Sequence, residues 1–158
     1  MRIKGKEIKG INVVTVVIPR GNTDNVIFRC QAVLDYSRFD SLCPAPSPPE
    51  VRRPGGVVSQ NVNAPSYKAA MNEYSLNKLA FMVVESLKAT PELEWDTVKD
   101  DSPETWKLYE KELRDSGFSD IEIGRIISGV TEANCLNESV IERARNDFLA
   151  QTEATPSA

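Results

Sequence analysis

The pattern of apolar and polar positions changes period once along the chain. Over 11–18 the run INVVTVVI is β-branched and nearly continuous, which predicts a strand. The turn cluster Pro19-Arg20-Gly21-Asn22 separates it from a second strand over 26–34. Residues 3–9 offer a short third strand. So small a sheet must lean on other elements.

Between 43 and 65 regular periodicity stops. Pro44, Pro46, Pro48, Pro49 and Pro54 follow one another closely, and Gly55-Gly56 come next. Proline removes a backbone donor and biases its predecessor toward extended geometry. This segment reads as an extended arm with polyproline character, either a passive linker or an arm that lies on a partner.

From 66 the period becomes helical. A helix opening at Ser66-Tyr67 runs to about Lys88, with Tyr67, Met71, Tyr74, Phe81, Val84 and Leu87 as buried candidates. Ser102 as N-cap and Pro103 at the first position start another, with Trp106, Tyr109 and Leu113 on one face and Gly117 at its end. Ser119-Asp120-Ile121-Glu122 is a capping box before Ile123, Ile126, Ile127 and Val130. Asn137 caps a last helix carrying Val140, Ile141, Ala144 and Phe148. The predicted class is α+β: a small N-terminal antiparallel β-sheet over 1–42, the extended Pro-rich arm over 43–65, and a C-terminal bundle of about four helices over 66–150. A flexible tail completes it over 151–158. Trp106, Tyr109, Leu113, Ile123, Ile127, Val130, Ile141 and Phe148 are expected to share one core.

Composition narrows the chemistry. The 158 residues contain no histidine, which excludes Ser-His-Asp triads, Cys-His pairs and histidine metal ligands. No GxxxxGK[ST] or GxGxxG loop cradles phosphate. The acidic cluster Glu92, Glu94, Asp96, Asp100, Asp101, Glu104 suits a solvated helix start better than a carboxylate pair or a cation site. Three cysteines without metal spacing read as reduced thiols in a cytosol-like compartment. Neither a signal peptide nor the roughly 20-residue apolar run of a membrane span is visible. The expectation is therefore a chain that is not an enzyme and has no catalytic residues, cofactor or metal.

The net charge of −4 hides an asymmetry. Residues 1–79 carry 11 Lys/Arg against 6 Asp/Glu, and residues 80–158 carry 8 against 17. The acidic half repels phosphate, which argues against a nucleic-acid partner. Attraction between unlike halves of neighbouring subunits keeps a homo-oligomer open. Most of the aromatics fall on helical apolar faces and read as core. Grooves in helical units bind helices, however, and Tyr67, Met71, Tyr74, Trp95, Trp106 and Tyr109 are the candidate protein-binding residues.

The order of these features resembles a known family. The run Gln31-Ala32-Val33-Leu34-Asp35-Tyr36, then Phe39, the Pro-rich arm with Gly55-Gly56, Glu94-Trp95-Asp96 and Trp106-Lys107-Leu108-Tyr109-Glu110-Lys111-Glu112-Leu113 carry it. So do Gly117-Phe118-Ser119-Asp120-Ile121-Glu122, Asn134-Cys135-Leu136-Asn137-Glu138 and Ala144-Arg145-Asn146-Asp147-Phe148-Leu149. Together they are similar to the tail assembly chaperones of tailed bacteriophages. That resemblance implies a protein of the host cytoplasm that coats the helical tape-measure protein, recruits tail-tube subunits and leaves before the particle matures. The alternative is a virion structural subunit, capsid-decorating or tail-associated, that stays in the particle.

Overall fold

The computed structural model describes residues 1–21 and 24–153, with side chains up to Asp147. Of the tail expected over 151–158, residues 151–153 are helical and the rest lies outside the described residues, as does the expected core position of Phe148. The chain is α+β, with small antiparallel sheets and six helices among the described residues, and it divides into two compact units that are each discontinuous in sequence.

The first unit comprises 1–33, 86–93 and 119–158. Strands β1 (Arg2–Ile3) and β2 (Lys6–Glu7) form a minimal hairpin, Arg2 opposite Glu7. Strands β3 (Val13–Ile18) and β4 (Val26–Gln31) form a longer one, registered from Val13 opposite Gln31 to Ile18 opposite Val26. Alternation decides its faces: Ile18, Phe28 and Cys30 are buried on one side, whereas Val13, Val17 and Ile27 are exposed on the other. Helix α5 (Asp120–Ala133) covers the buried face with Ile123, Ile126 and Val130. Its capping box is formed: the Glu122 N–H donates to Ser119 Oγ and the Ser119 N–H donates to Glu122 Oε2. Gly129 brings helix and sheet close, because a Cβ there would stand 2.4 Å from Val16 Cγ2. At the C-terminal end of α5, Asn12 Nδ2 donates to the Ala133 carbonyl, and the Val33 N–H donates to Asn134 Oδ1. Helix α6 (Glu138–Glu153) follows, but Ile141 is 41% exposed rather than in the core, and Ile127 is only half-buried.

The second unit comprises 34–85 and 94–118. A short helix α1 (Ser37–Leu42) buries Phe39 completely. The segment 43–65 is not wholly an extended arm, because β5 (Glu50–Arg52) pairs with β6 (Val58–Gln60). The proline-free stretch 50–53 keeps its donors, and Pro54-Gly55-Gly56 supplies the turn. Gly55 and Gly56 have φ of +96° and +81°, a region that suits glycine, and the Gly56 N–H donates to the Arg53 carbonyl. Helix α2 (Pro65–Leu87) follows, and its residues from 86 onward belong to the first unit. The expected helix after Ser102 is broken into α3 (Pro103–Trp106) and α4 (Tyr109–Asp115). The Ser102 side chain makes no cap, and the Thr105 hydroxyl instead accepts from the Lys99 N–H. Gly117, with φ of +89°, ends α4 as expected, and the Phe118 N–H donates back to the Leu113 carbonyl.

These assignments revise the expected bundle of about four helices. Trp106, Tyr109 and Leu113 are buried in the second unit, and Ile123, Ile126 and Val130 in the first. The physical reason is that the apolar stripe of α5 is taken up by a sheet face, so it does not need other helices to cover it.

Candidate protein-binding surface

The second unit is organised around rings. Phe39, Phe81 and Trp106 form a closed triangle, with centroids 5.5, 5.1 and 6.0 Å apart, and all three are buried. Tyr74 leans on Phe39 at 5.3 Å and Tyr36 on Phe81 at 5.8 Å. The Trp106 indole N–H donates to the carbonyls of Lys99 and Asp100 at 3.1 and 3.2 Å, which fastens the loop before α3. Two cations lie over the cluster. The Arg38 guanidinium sits 5.2 Å from the Phe81 centroid, pairs with Glu85, and approaches Asp100 at 3.7 Å. Lys78 Nζ lies 5.2 Å from the Tyr36 ring and 5.8 Å from Phe39.

The six candidates differ in burial. Trp106 and Tyr109 are 1% and 6% exposed, so they are core side chains. Tyr67, Met71, Tyr74 and Trp95 are half-buried, and Tyr74 is engaged by Phe39. Tyr67, Met71 and Tyr74 share one stripe of α2, and Trp95 stands on the loop after it.

A different apolar set also comes together. Leu76, Leu79 and Ala80 of α2, with Lys107, Tyr109 and Glu110, line a hollow of about 180 Å³. Leu76 and Leu79 are 45% and 43% exposed. Leu108 lines a neighbouring cleft of about 450 Å³ together with Asp96, Thr97, Lys111, Glu112 and Asp115. Residues 76, 79, 80, 83 and 87 form a second helical stripe on α2, beside the stripe through 67, 71, 74 and 81. That doubled pattern is the available signal; of the second stripe only Leu87 figures among the buried positions expected from sequence.

The cleft is anchored by Glu112. Burial pushes its carboxyl pKa up, but hydrogen bonds outweigh this and hold it below the usual value. The Thr97 hydroxyl donates to it, as do the N–H groups of Asp96 and Thr97. Burial, with a smaller contribution from Glu110, raises the Tyr109 phenol. The three cysteines are free thiols. Cys30 is fully buried under α5, and burial pushes its pKa up to about 11, which disfavours the thiolate a nucleophile needs. Among the described residues, no group of three or more Cys, Asp or Glu side chains is arranged to hold a metal ion, and no helix is long and apolar enough to cross a membrane.

Comparison with protein-family models, with curated proteins and with solved structures finds no match to this chain.

Proposed function

We propose that this protein acts by binding another phage structural protein without catalysis, as a tail assembly chaperone that shields a tape-measure-like partner. The observation that carries the reading is the hollow beside α2, where Leu76 and Leu79 stay exposed next to the buried Tyr109. An apolar depression of this kind takes side chains from one face of an amphipathic helix. Such a helix has apolar positions that need cover before assembly. Glu73, paired with Lys107, and Glu110, paired with Arg114, lie beside the hollow and give it a charged border. The acidic balance of the second half adds solubility and steers basic partners at low salt.

Co-expression with the candidate tape-measure protein tests this. The partner should become soluble and co-purify with the native chain, and Leu76→Glu with Leu79→Glu should abolish co-purification while the circular dichroism spectrum is kept. An equally insoluble partner with and without the chain would sink the chaperone reading. Detection of the protein among the bands of purified particles would favour the virion-subunit alternative.

A further inference from the structure

The two outer edges of the β3–β4 hairpin are treated differently. The Ala32 N–H donates to the Asn12 carbonyl, and this phase makes even-numbered residues of β3 bond to β4. The odd-numbered residues of both strands therefore turn their backbone groups outward. Along β4 the groups from Arg29 onward are largely occupied. The Arg29 N–H donates to Thr90 Oγ1 at 2.9 Å, and the Thr90 hydroxyl donates back to the Arg29 carbonyl. The Ser86 hydroxyl donates to the Gln31 carbonyl at 2.7 Å, and the Val33 N–H donates to Asn134. Along β3 the outward groups of Val13, Thr15 and Val17 have no hydrogen-bond partner among the described residues, and all three side chains are exposed. No charge, proline or bulge protects this edge.

The sequence of the open edge reads the same in both directions: Val13-Val14-Thr15-Val16-Val17. We infer that β3 pairs antiparallel with β3 of a second copy of this chain, about a twofold axis at Thr15, joining two hairpins into one four-stranded sheet. In that register Thr15 faces Thr15 of the second copy and Val13 faces Val17, so each outward N–H and C=O gains a partner. Threonine opposite threonine and valine opposite valine are favourable cross-strand pairs. Arg20 faces Gly10 and Lys9 faces Gly21, so no like charges oppose each other. A slip that places Pro19 opposite Thr15 loses a donor, which disfavours that register. A two-stranded ribbon is marginal alone, and four strands relieve this. The inference is separate from the hollow beside α2 and does not depend on it.

Light scattering after size exclusion, over a dilution series under reducing conditions, should give twice the chain mass for the full chain. Thr15→Lys sets two ammonium groups opposite each other and should lose the dimer peak, with an unchanged circular dichroism spectrum, since the side chain is exposed. Thr15→Val should keep the dimer. On a Cys135→Ser background, oxidised Thr15→Cys should run as a dimer on a non-reducing gel. Directly opposed residues of a hydrogen-bonded pair lie about 5.5 Å apart, within disulfide reach. Val17→Cys on the same background should not cross-link, since its own copy lies four positions away along the ladder. A monomer at every concentration, a Thr15→Lys dimer, or equal cross-linking at 15 and 17 would overturn the inference.

Discussion

In the first unit a two-stranded hairpin and one helix meet mostly through aliphatic and small groups, Ile18, Cys30, Ile123, Ile126, Gly129 and Val130, with the ring of Phe28 buried on the same face. In the second, rings meet rings, and apart from the long α2 the elements around them are short: the six residues of α1, the four of α3 and the loop at 99–102. The contrast follows from geometry. A sheet face and a helix stripe are regular surfaces, so they fit closely through side chains of similar size, and a glycine allows the tightest approach. Irregular segments leave unequal gaps, which large rings span while a polar handle such as the Trp106 N–H fixes the adjoining loop. The first unit should thus be sensitive to added atoms, and the second to removed ones.

The largest effect is expected where the second unit depends on one ring. Trp106→Ala removes the side chain that touches both Phe39 and Phe81, and it takes away the indole N–H that ties the carbonyls of Lys99 and Asp100 to the ring cluster. Loss of a large buried aromatic costs about 3–5 kcal/mol. Urea denaturation should show that loss, and a melting temperature equal to the native one would contradict the ring-centred account.

Much of this was legible because it is local. The capping box at Ser119 and Glu122, the stop at Gly117, the two long strands and the extent of α2 all rest on contacts a few residues apart. What covers an apolar stripe is not local, so α5 read as a bundle helix although a sheet covers it. Helix α1 is shorter than two turns and buries one side chain, Phe39, so no period announces it. The β5–β6 hairpin was masked by prolines that flank its strands without entering them. Of the candidate surface, the burial of Trp106 and Tyr109 was visible in the helical period, whereas the half-burial of Tyr67, Met71 and Tyr74 was not. Leu76 and Leu79 were passed over because a second stripe on one helix resembles extra core.

The pH limits of the two units should differ in direction. Glu112 has a folded pKa below its ordinary value, so its contribution is present above the unfolded pKa near 4.5 and is lost as pH falls through the folded value. Glu112→Gln should cost roughly 1–2 kcal/mol at neutral pH, since charged hydrogen bonds to a half-exposed group are lost, and it should flatten the acid limb. Cys30 has a raised folded pKa, so its contribution is complete below the unfolded value of 9.0 and is lost as pH rises toward about 11. Melting temperature against pH should therefore fall on the alkaline side less steeply in Cys30→Ala than in the native chain. An identical alkaline slope in the two proteins would show that Cys30 is no more shielded when folded than when unfolded.

The smallest expected effect tests the close approach in the first unit. A Cβ at Gly129 would stand 2.4 Å from Val16 Cγ2 and 3.2 Å from Cys30 Sγ, and below 3 Å something must move. Val16 is β-branched and stiff at χ1, so it cannot swing aside as a long chain would. Overpacking of this kind costs about 1–3 kcal/mol. Alanine also gains roughly 1 kcal/mol over glycine inside a helix, which opposes that cost. Gly129→Ala should therefore destabilise by about 1 kcal/mol net, although the same change on an exposed helix face would stabilise. Val16→Ala opens the space the new methyl needs, so the double variant should be more stable than the sum of the single changes predicts, with a coupling of about 1 kcal/mol. Additive single and double effects would mean that helix and sheet do not meet at Gly129 and Val16, and the contrast with the ring-filled unit would lose its sharpest point.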